Sequence, residues 1–242
     1  MLKKQSIVNP GTKFIFRWEN EDGTFDASEY YYENGIMQYV SELSAESALT
    51  PPQLWNLETM GRDRADKPDY KLKMNIALCF SNKKQLKEYY HNSSWLEYGG
   101  APEKAVKSAF VSQIDAYLKQ NNRYLKNESK ISFVDISDSL ILVSNSFSTV
   151  TSYENQTKKA INNTFIAEAL TDFLKQQLEI YFTENPVDAD KIAALNLPID
   201  AITSAIEGQN YQPSLGKVGA MPGDGKQQIV YSLQTQGRVN EV

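Results

Sequence analysis

Few side chains in this 242-residue sequence are equipped for covalent chemistry. One cysteine, Cys79, and one histidine, His91, are present. A disulfide framework, a CxxC zinc site or an HExxH metalloprotease site therefore cannot be assembled from it. A Ser-His-Asp or Cys-His mechanism would have to run through His91, which lies between Tyr90 and Asn92 without carboxylate or metal-ligand spacing around it. No lysine or arginine cluster beside Cys79 would lower its pKa, so it reads as a small packing residue. The stretch Ala220–Gln227 mimics a phosphate-binding loop through Gly225 and Lys226. It lacks the first glycine, and Gln227 stands where Ser or Thr should hold Mg²⁺, so it is rejected as a nucleotide site. Tyr30, Tyr31 and Tyr32 have the composition of a base-stacking platform, but aromatic runs in strands usually pack across strands, and that is the expectation here. Lys104, Lys107 and Lys119, then Arg123, Lys126 and Lys130, form a basic series whose default role is a solvated charged face. Gln156, Thr157, Lys158 and Lys159 share one polar loop.

The elements that must position these residues can be read from periodicity. Residues 13–19 and 25–32 are β-prone and flank a turn containing Asp22-Gly23, a hairpin signal. Gly35 to Leu43 places Ile36, Tyr39, Val40 and Leu43 at helical spacing. Residues 44–69, broken by Pro51, Pro52, Gly61 and Pro68, read as a long connection. Tyr70 to Phe80 alternates apolar and polar with period two and predicts a strand; residues up to His91 read as the end of its partner strand. Pro102 and Glu103 open a helix with Val106, Phe110, Ile114, Tyr117 and Leu118 on its buried stripe. Ser139 to Phe147 predicts another strand, and the polar loop Ser148 to Asn163 follows. Thr164 is then the expected cap of a long helix ending at Asn185-Pro186. Weaker helical patterns follow, and residues 208–226 are rich in Gly and Pro. The order predicts an α+β fold, a sheet with helices packed on one face. Met1 is followed by a strand-like stretch, read as a start inside a domain. The composition is 41% hydrophobic and 23% charged, with a net charge of -5. That balance argues against a whole-surface nucleic-acid binder. No apolar run reaches membrane-spanning length, and no apolar leader follows Lys3 and Lys4, so a cytoplasmic protein without membrane contact is expected.

Five segments go further. Tyr31-Tyr32-Glu33-Asn34-Gly35-Ile36-Met37-Gln38-Tyr39-Val40 is similar to a Tyr-Glu-Gly-Gly-Ile-x-x-Phe-Val motif. Glu97-Tyr98-Gly99-Gly100 stands where a Gly-Gly-Thr-His turn precedes a helix. Asp135-Ile136-Ser137-Asp138-Ser139-Leu140 resembles Asp-Val-Arg-Glu-Gly-Leu, and Tyr153-Glu154-Asn155-Gln156-Thr157-Lys158 resembles Phe-x-x-Gln-Thr-Lys. Tyr181-Phe182-Thr183-Glu184-Asn185-Pro186 is similar to the end of the long helix that follows. In this order they resemble the B subunits of type IIA DNA topoisomerases, the gyrase and topoisomerase IV type, from about Lys3 to about Ala194. Ala101-Pro102 replaces the Thr-His of the turn. The acidic Glu-Gly-Asp-Ser loop of the family's TOPRIM domain is not found, and Asp224 is at most a relic of it.

The resemblance implies a transducer-type domain of the ribosomal-protein-like βαβ fold, with a left-handed crossover, a mixed sheet with helices on one face and a partly helical linker after it. Residues 1–33 would be the C-terminal hairpin remnant of a nucleotide-binding ATPase domain, 34–200 the transducer, and 201–242 a linker with a partial TOPRIM-like tail. Lys158 would take the catalytic role, its ammonium reaching the ATP γ-phosphate, and Gln156 would contact the same phosphate. ATP and Mg²⁺ are then cofactors of the full-length enzyme, none being held by this chain alone, which is expected to be inactive by itself. No metal ligand is assigned. Implied partners are double-stranded DNA, the topoisomerase A subunit and a second copy through the ATPase domain. Lys104, Lys107, Arg123, Lys126 and Lys130 would face the transported DNA. The alternative is a stand-alone truncated module of mobile-element type that binds a topoisomerase or DNA without catalysis. A mismatch-repair or chaperone middle domain and a self-contained hydrolase fit the motifs less well.

Overall fold

The computed structural model describes residues 1–124 and 129–195 in full, and the backbone of residues 214–218 and 231–234. The chain divides into two compact units, Met1–Tyr124 with Lys130–Asn196, and Leu125–Ser129 with Leu197–Val242. In the second, β8 (Ser214–Val218) and β9 (Tyr231–Gln234) form an antiparallel pair. The phosphate-loop mimic at Ala220–Gln227, Asp224 and Lys126 lie outside the described residues.

The first unit is built on a sheet of five strands: β3 (Gln53–Gly61), β4 (Tyr70–Phe80), β5 (Leu86–His91), β6 (Ser94–Trp95) and β7 (Leu140–Ser148), in the order β3-β4-β7-β5-β6. Pairings are antiparallel except β5 with β7, which is parallel, so the sheet is mixed. His91 does end a strand, but that strand pairs with β7, which inserts between it and β4. Two segments depart from the sequence expectation. Residues 53–61 form an edge strand rather than loop, because an edge strand exposes alternate polar side chains such as Asn56 and Glu58 and lacks a continuous apolar signal. Residues Leu2–Val8 form a helix, α1, rather than a strand-like start, burying Ile7 and Val8.

On one face of the sheet, Leu72, Met74, Ile76, Leu78 and Phe80 of β4 meet Leu140 and Leu142 of β7. They are covered by α3 (Ala101–Gln120) and α5 (Thr164–Glu184). Ala105, Val106, Ala109, Phe110, Ile114 and Leu118 form the α3 stripe, with Ile166, Leu170, Leu174 and Leu178 on α5. Each large apolar side chain among them contributes roughly 1.5–3 kcal/mol when fully buried. Asn185 ends α5 and Pro186 opens α6 (Pro186–Leu195), where its missing N–H leaves no bond unmade.

The opposite face is also covered, which corrects the expectation of helices on one side. Ala77 and Cys79 of β4 and Ile141 and Val143 of β7 pack against Ile36 and Val40 of α2 (Gly35–Ser44) and against Ile7 and Val8. The physical reason lies along β4: Lys71, Lys73 and Asn75 keep its first half polar on that side, while small Ala77 and Cys79 leave room for a helix over its second half. β7, covered on both faces, is buried from Leu140 through Ser146, as a central strand must be.

The predicted hairpin is β1 (Phe14–Glu19) with β2 (Phe25–Tyr30). It leaves Ile15, Phe16, Trp18 and Phe25 exposed, with Phe16 stacked on Trp18. Tyr32 is buried edge-on against Tyr39, so the three tyrosines form no common platform. A short helix, α4 (Phe133–Ser137), precedes β7; its capping box joins Ser132 and Asp135. No helix among the described residues is long and apolar enough to cross a membrane.

Candidate functional site: the Lys158 loop

The loop after β7 carries Gln156 and Lys158, and its backbone is stitched to itself. Tyr153 and Ile161 form an antiparallel bridge, the Glu154 N–H donates to Ala160 O at 3.0 Å, and the Asn162 N–H donates to Ser152 O at 2.9 Å. At the tip the Lys158 N–H donates to Asn155 O at 3.3 Å, closing a turn that Asn155 reinforces by accepting the N–H and hydroxyl of Thr157. Lys158 sits in the left-handed region with φ +57°. For a residue bearing a Cβ that conformation costs roughly 1–2 kcal/mol. Lys158 is exposed, and its ammonium has no carboxylate partner among the described residues, only the Tyr153 ring 5.7 Å away. Gln156 is exposed beside it.

The loop is also sewn to the turn before α3. The Tyr98 N–H donates to Lys159 O at 3.0 Å and the Ala101 N–H to Ile161 O at 2.7 Å, while Gly100 and Ile161 form a parallel bridge. That approach requires glycine: a Cβ on Gly100, whose φ is +77°, would stand 2.3 Å from Ile161 O. Glu97 pairs with Lys159, and its hydrogen bond and charge hold that ammonium above the ordinary lysine range. Two segments noted separately in the sequence, Glu97–Gly100 and Tyr153–Lys158, are thus one structural unit.

Both ends of the loop are held by residues to which the sequence alone assigns no such role. At the far end Asn163 Oδ1 accepts the Ser152 N–H at 2.8 Å, and Asn163 Nδ2 donates to Asp63 Oδ2 at 2.8 Å. Thr164 does not cap α5. It is the first helical residue, its hydroxyl donates to Asp63 O, and Asp63 Oδ1 accepts the Phe165 N–H. At the near end His91, fully buried, spans Ser146 Oγ through Nδ1 and Thr151 Oγ1 through Nε2, each at 2.8 Å. Burial lowers its pKa to about 4, so it is neutral at pH 7. No sequence signal marks these contacts, because the partners lie 55 and 60 residues away.

The described members of the basic series are all paired with carboxylates. Lys104 lies 3.7 Å from Glu154, Lys107 2.9 Å from Glu103, Lys130 3.3 Å from Asp115, and Arg123 meets Asp190. Lys119 joins Lys130 on Asp115. Burial pushes the Asp115 carboxyl up, but hydrogen bonds from Lys119, Tyr124 and Lys130 outweigh it and leave the carboxyl below its ordinary range. Among the described residues no three His, Cys, Asp or Glu side chains converge on a point that could hold a metal ion.

The fold is one found in solved topoisomerase ATPase structures. The 43K ATPase domain of Thermus thermophilus gyrase B, solved with an aminocoumarin, superposes with a TM-score of 0.60 at 15% identity, covering 85% of this chain and 54% of that one. The topoisomerase IV ATP-binding domain of Francisella tularensis gives a TM-score of 0.57 at 18% identity, covering 85% and 52%. The DNA gyrase B family model matches residues 35–201, and the chain belongs to that family. Curated relatives include the DNA gyrase B protein of Mycoplasmoides gallisepticum, 29% identical over 200 residues, covering 80% of this chain and 30% of the relative. That of Chlamydia muridarum is 25% identical over 193 residues, covering 79% and 23%. The chain thus spans less than a third of the length of these relatives.

Proposed function

We propose that this chain is the transducer segment of the B component of an ATP-dependent type IIA topoisomerase, coupling ATP binding and hydrolysis to gate closure and DNA strand passage. The observation that supports this most is the Lys158 loop. It offers an ammonium without a carboxylate partner among the described residues, and an exposed carboxamide, on a tip whose base is fastened to β5, α3 and α5. An ammonium so placed suits a terminal phosphate that is present before hydrolysis and gone afterwards. Lys158 and Gln156 would contact the ATP γ-phosphate held by a nucleotide-binding domain, to which residues 1–33 contribute the last hairpin. Residues 34–200 would form the transducer-type fold with its left-handed crossover, and residues 201–242 the linker and partial TOPRIM-like tail. One charge-assisted hydrogen bond, about 1.5–3 kcal/mol, shifts a two-state domain orientation by roughly tenfold to a hundredfold.

In this reading ATP and Mg²⁺ serve the complete cytoplasmic enzyme, and this chain by itself does not hydrolyse ATP. The partners are double-stranded DNA, the topoisomerase A subunit and a second copy of the B component. Lys104, Lys107, Arg123, Lys126 and Lys130 would face the passing duplex, the described ones sharing their charge with the carboxylates noted above. Family membership favours this reading over a stand-alone mobile-element module. The test is Lys158→Ala in a protein that joins this chain to a nucleotide-binding domain. ATP turnover and ATP-driven strand passage should fall by about tenfold to a hundredfold. Unchanged rates would remove Lys158 from the mechanism.

A further inference from the structure

Both ring nitrogens of His91 lie 2.8 Å from a hydroxyl, Nδ1 from that of Ser146 and Nε2 from that of Thr151. Ser146 carries one hydroxyl proton; placed on Tyr90 O at 3.1 Å, it leaves the oxygen to accept from His91 Nδ1 at 2.8 Å. In that arrangement Nδ1 bears the proton, and in the neutral ring Nε2 is an acceptor. The Ser148 hydroxyl, 3.3 Å from Nε2, is committed to Val150 O at 2.7 Å. The Thr151 hydroxyl, 2.8 Å from Nε2, is the remaining donor, and its own oxygen accepts from Asn92 Nδ2 at 3.2 Å. The chain of bonds runs from Asn92 through Thr151 and His91 to Ser146 and the backbone of β5.

Thr151 stands where β7 has ended and the loop's own backbone pairing has not begun. Thr149 and Val150, just before it, are exposed. From Ser152 onward the loop is paired with its returning half and with Asn163. We propose that His91, as the neutral Nδ1–H tautomer, is a positioning residue for the Lys158 loop, fixing through Thr151 the point from which the loop leaves the sheet. Its significance for nucleotide sensing rests on the reading of Lys158 above; its mechanical content does not.

The test uses the whole chain without nucleotide, so its failure and that of the Lys158 role are separable. Changing Thr151 rather than His91 leaves the buried ring in place. Thr151→Val removes the donor with little change of shape, and Thr151→Ser retains it. Hydrogen exchange of the amides of residues 152–160 should quicken about tenfold in Thr151→Val, the usual effect of losing one hydrogen bond on local opening, and stay near the parent value in Thr151→Ser. Exchange in the β1–β2 hairpin should not change in either. Because His91 is the chain's one histidine, its ¹⁵N ring signals need no assignment, and at pH 7 they should show the neutral Nδ1–H form. An imidazolium or an Nε2–H tautomer would overturn the proposal. So would loop exchange unaltered in Thr151→Val, or exchange that rises equally in the hairpin.

Discussion

Asp63 Oδ1 accepts the backbone N–H of Phe165 at 2.9 Å, so the β3–β4 connection caps a helix whose first turn lies 102 residues further along the chain. α5 has no side-chain cap of its own. The same carboxylate receives Asn163 Nδ2 and the Tyr70 hydroxyl, joining the cap to the far end of the Lys158 loop. Asp63→Ala should destabilise the fold by about 2 kcal/mol, as lost caps and charge-assisted hydrogen bonds do. Urea denaturation measures this, and a midpoint equal to the parent's would show that Asp63 is dispensable as a cap.

Gly100 and Gly23 share a φ of +77°, but only Gly100 has backbone in the way of a side chain. Gly23→Ala should cost only the left-handed penalty, about 1 kcal/mol. Gly100→Ala adds a collision with Ile161 O and should cost at least about 2 kcal/mol more while loosening the Lys158 loop. Equal losses in the two variants would mean that the approach of α3 to the loop is not tight.

His91 gives the fold a pH dependence whose sign follows from its depressed pKa. The unfolded ring titrates near 6.5 and the native one near 4. Between those values the unfolded chain binds the extra proton, so stability present above pH 6.5 drains away as pH falls toward 4. The loss amounts to about 3 kcal/mol. Urea midpoints from pH 7 to pH 4 should fall in the parent and stay flatter in His91→Gln. Parallel curves would assign the acid sensitivity to other groups.

Cys79 is fully buried beneath α2, and burial raises its thiol pKa. Alkylation by iodoacetamide at pH 8 should be slower by orders of magnitude in the folded chain than in urea. Cys79→Leu should overpack the α2 face and cost about 1–3 kcal/mol. Rapid labelling of the native chain would contradict the packing on that face.

The proposed transducer role predicts DNA binding by the isolated chain that weakens as salt rises, because each phosphate contact releases counterions. Lys104→Ala and Lys107→Ala should each lower the salt slope by about 1, the share of one phosphate contact. A slope untouched by both changes would take these two residues out of the DNA-facing surface.

β4, α3 and α5 are legible in the sequence because burial of one face, over the first half of β4 and along both helices, writes its period directly into it. The α2-covered face is not. Its share of β4 amounts to Ala77 and Cys79, two small residues after three polar ones, and small residues in a strand announce no helix above them. β3 is hidden for the opposite reason: prolines before it and exposed polar residues along it resemble a loop until β4 supplies the partner. Lys158 stands out through the residues around it, whereas nothing ties His91 and Asp63 to it. Their contribution is made of hydrogen bonds to residues far along the chain, and spacing carries no trace of those.

The position of β7 sets an order of events during synthesis. β3 can pair with β4, and β5 with β6, as soon as each is made, yet neither pair can join the other before β7 emerges, well after β5 has ended at His91. Until then the apolar sides of β4 and β5 have no common sheet, so the unit should close late and cooperatively. A ribosome-bound chain stopped before Leu140 would hold two separate hairpins, and the strand that completes them is the one leading directly into the Lys158 loop.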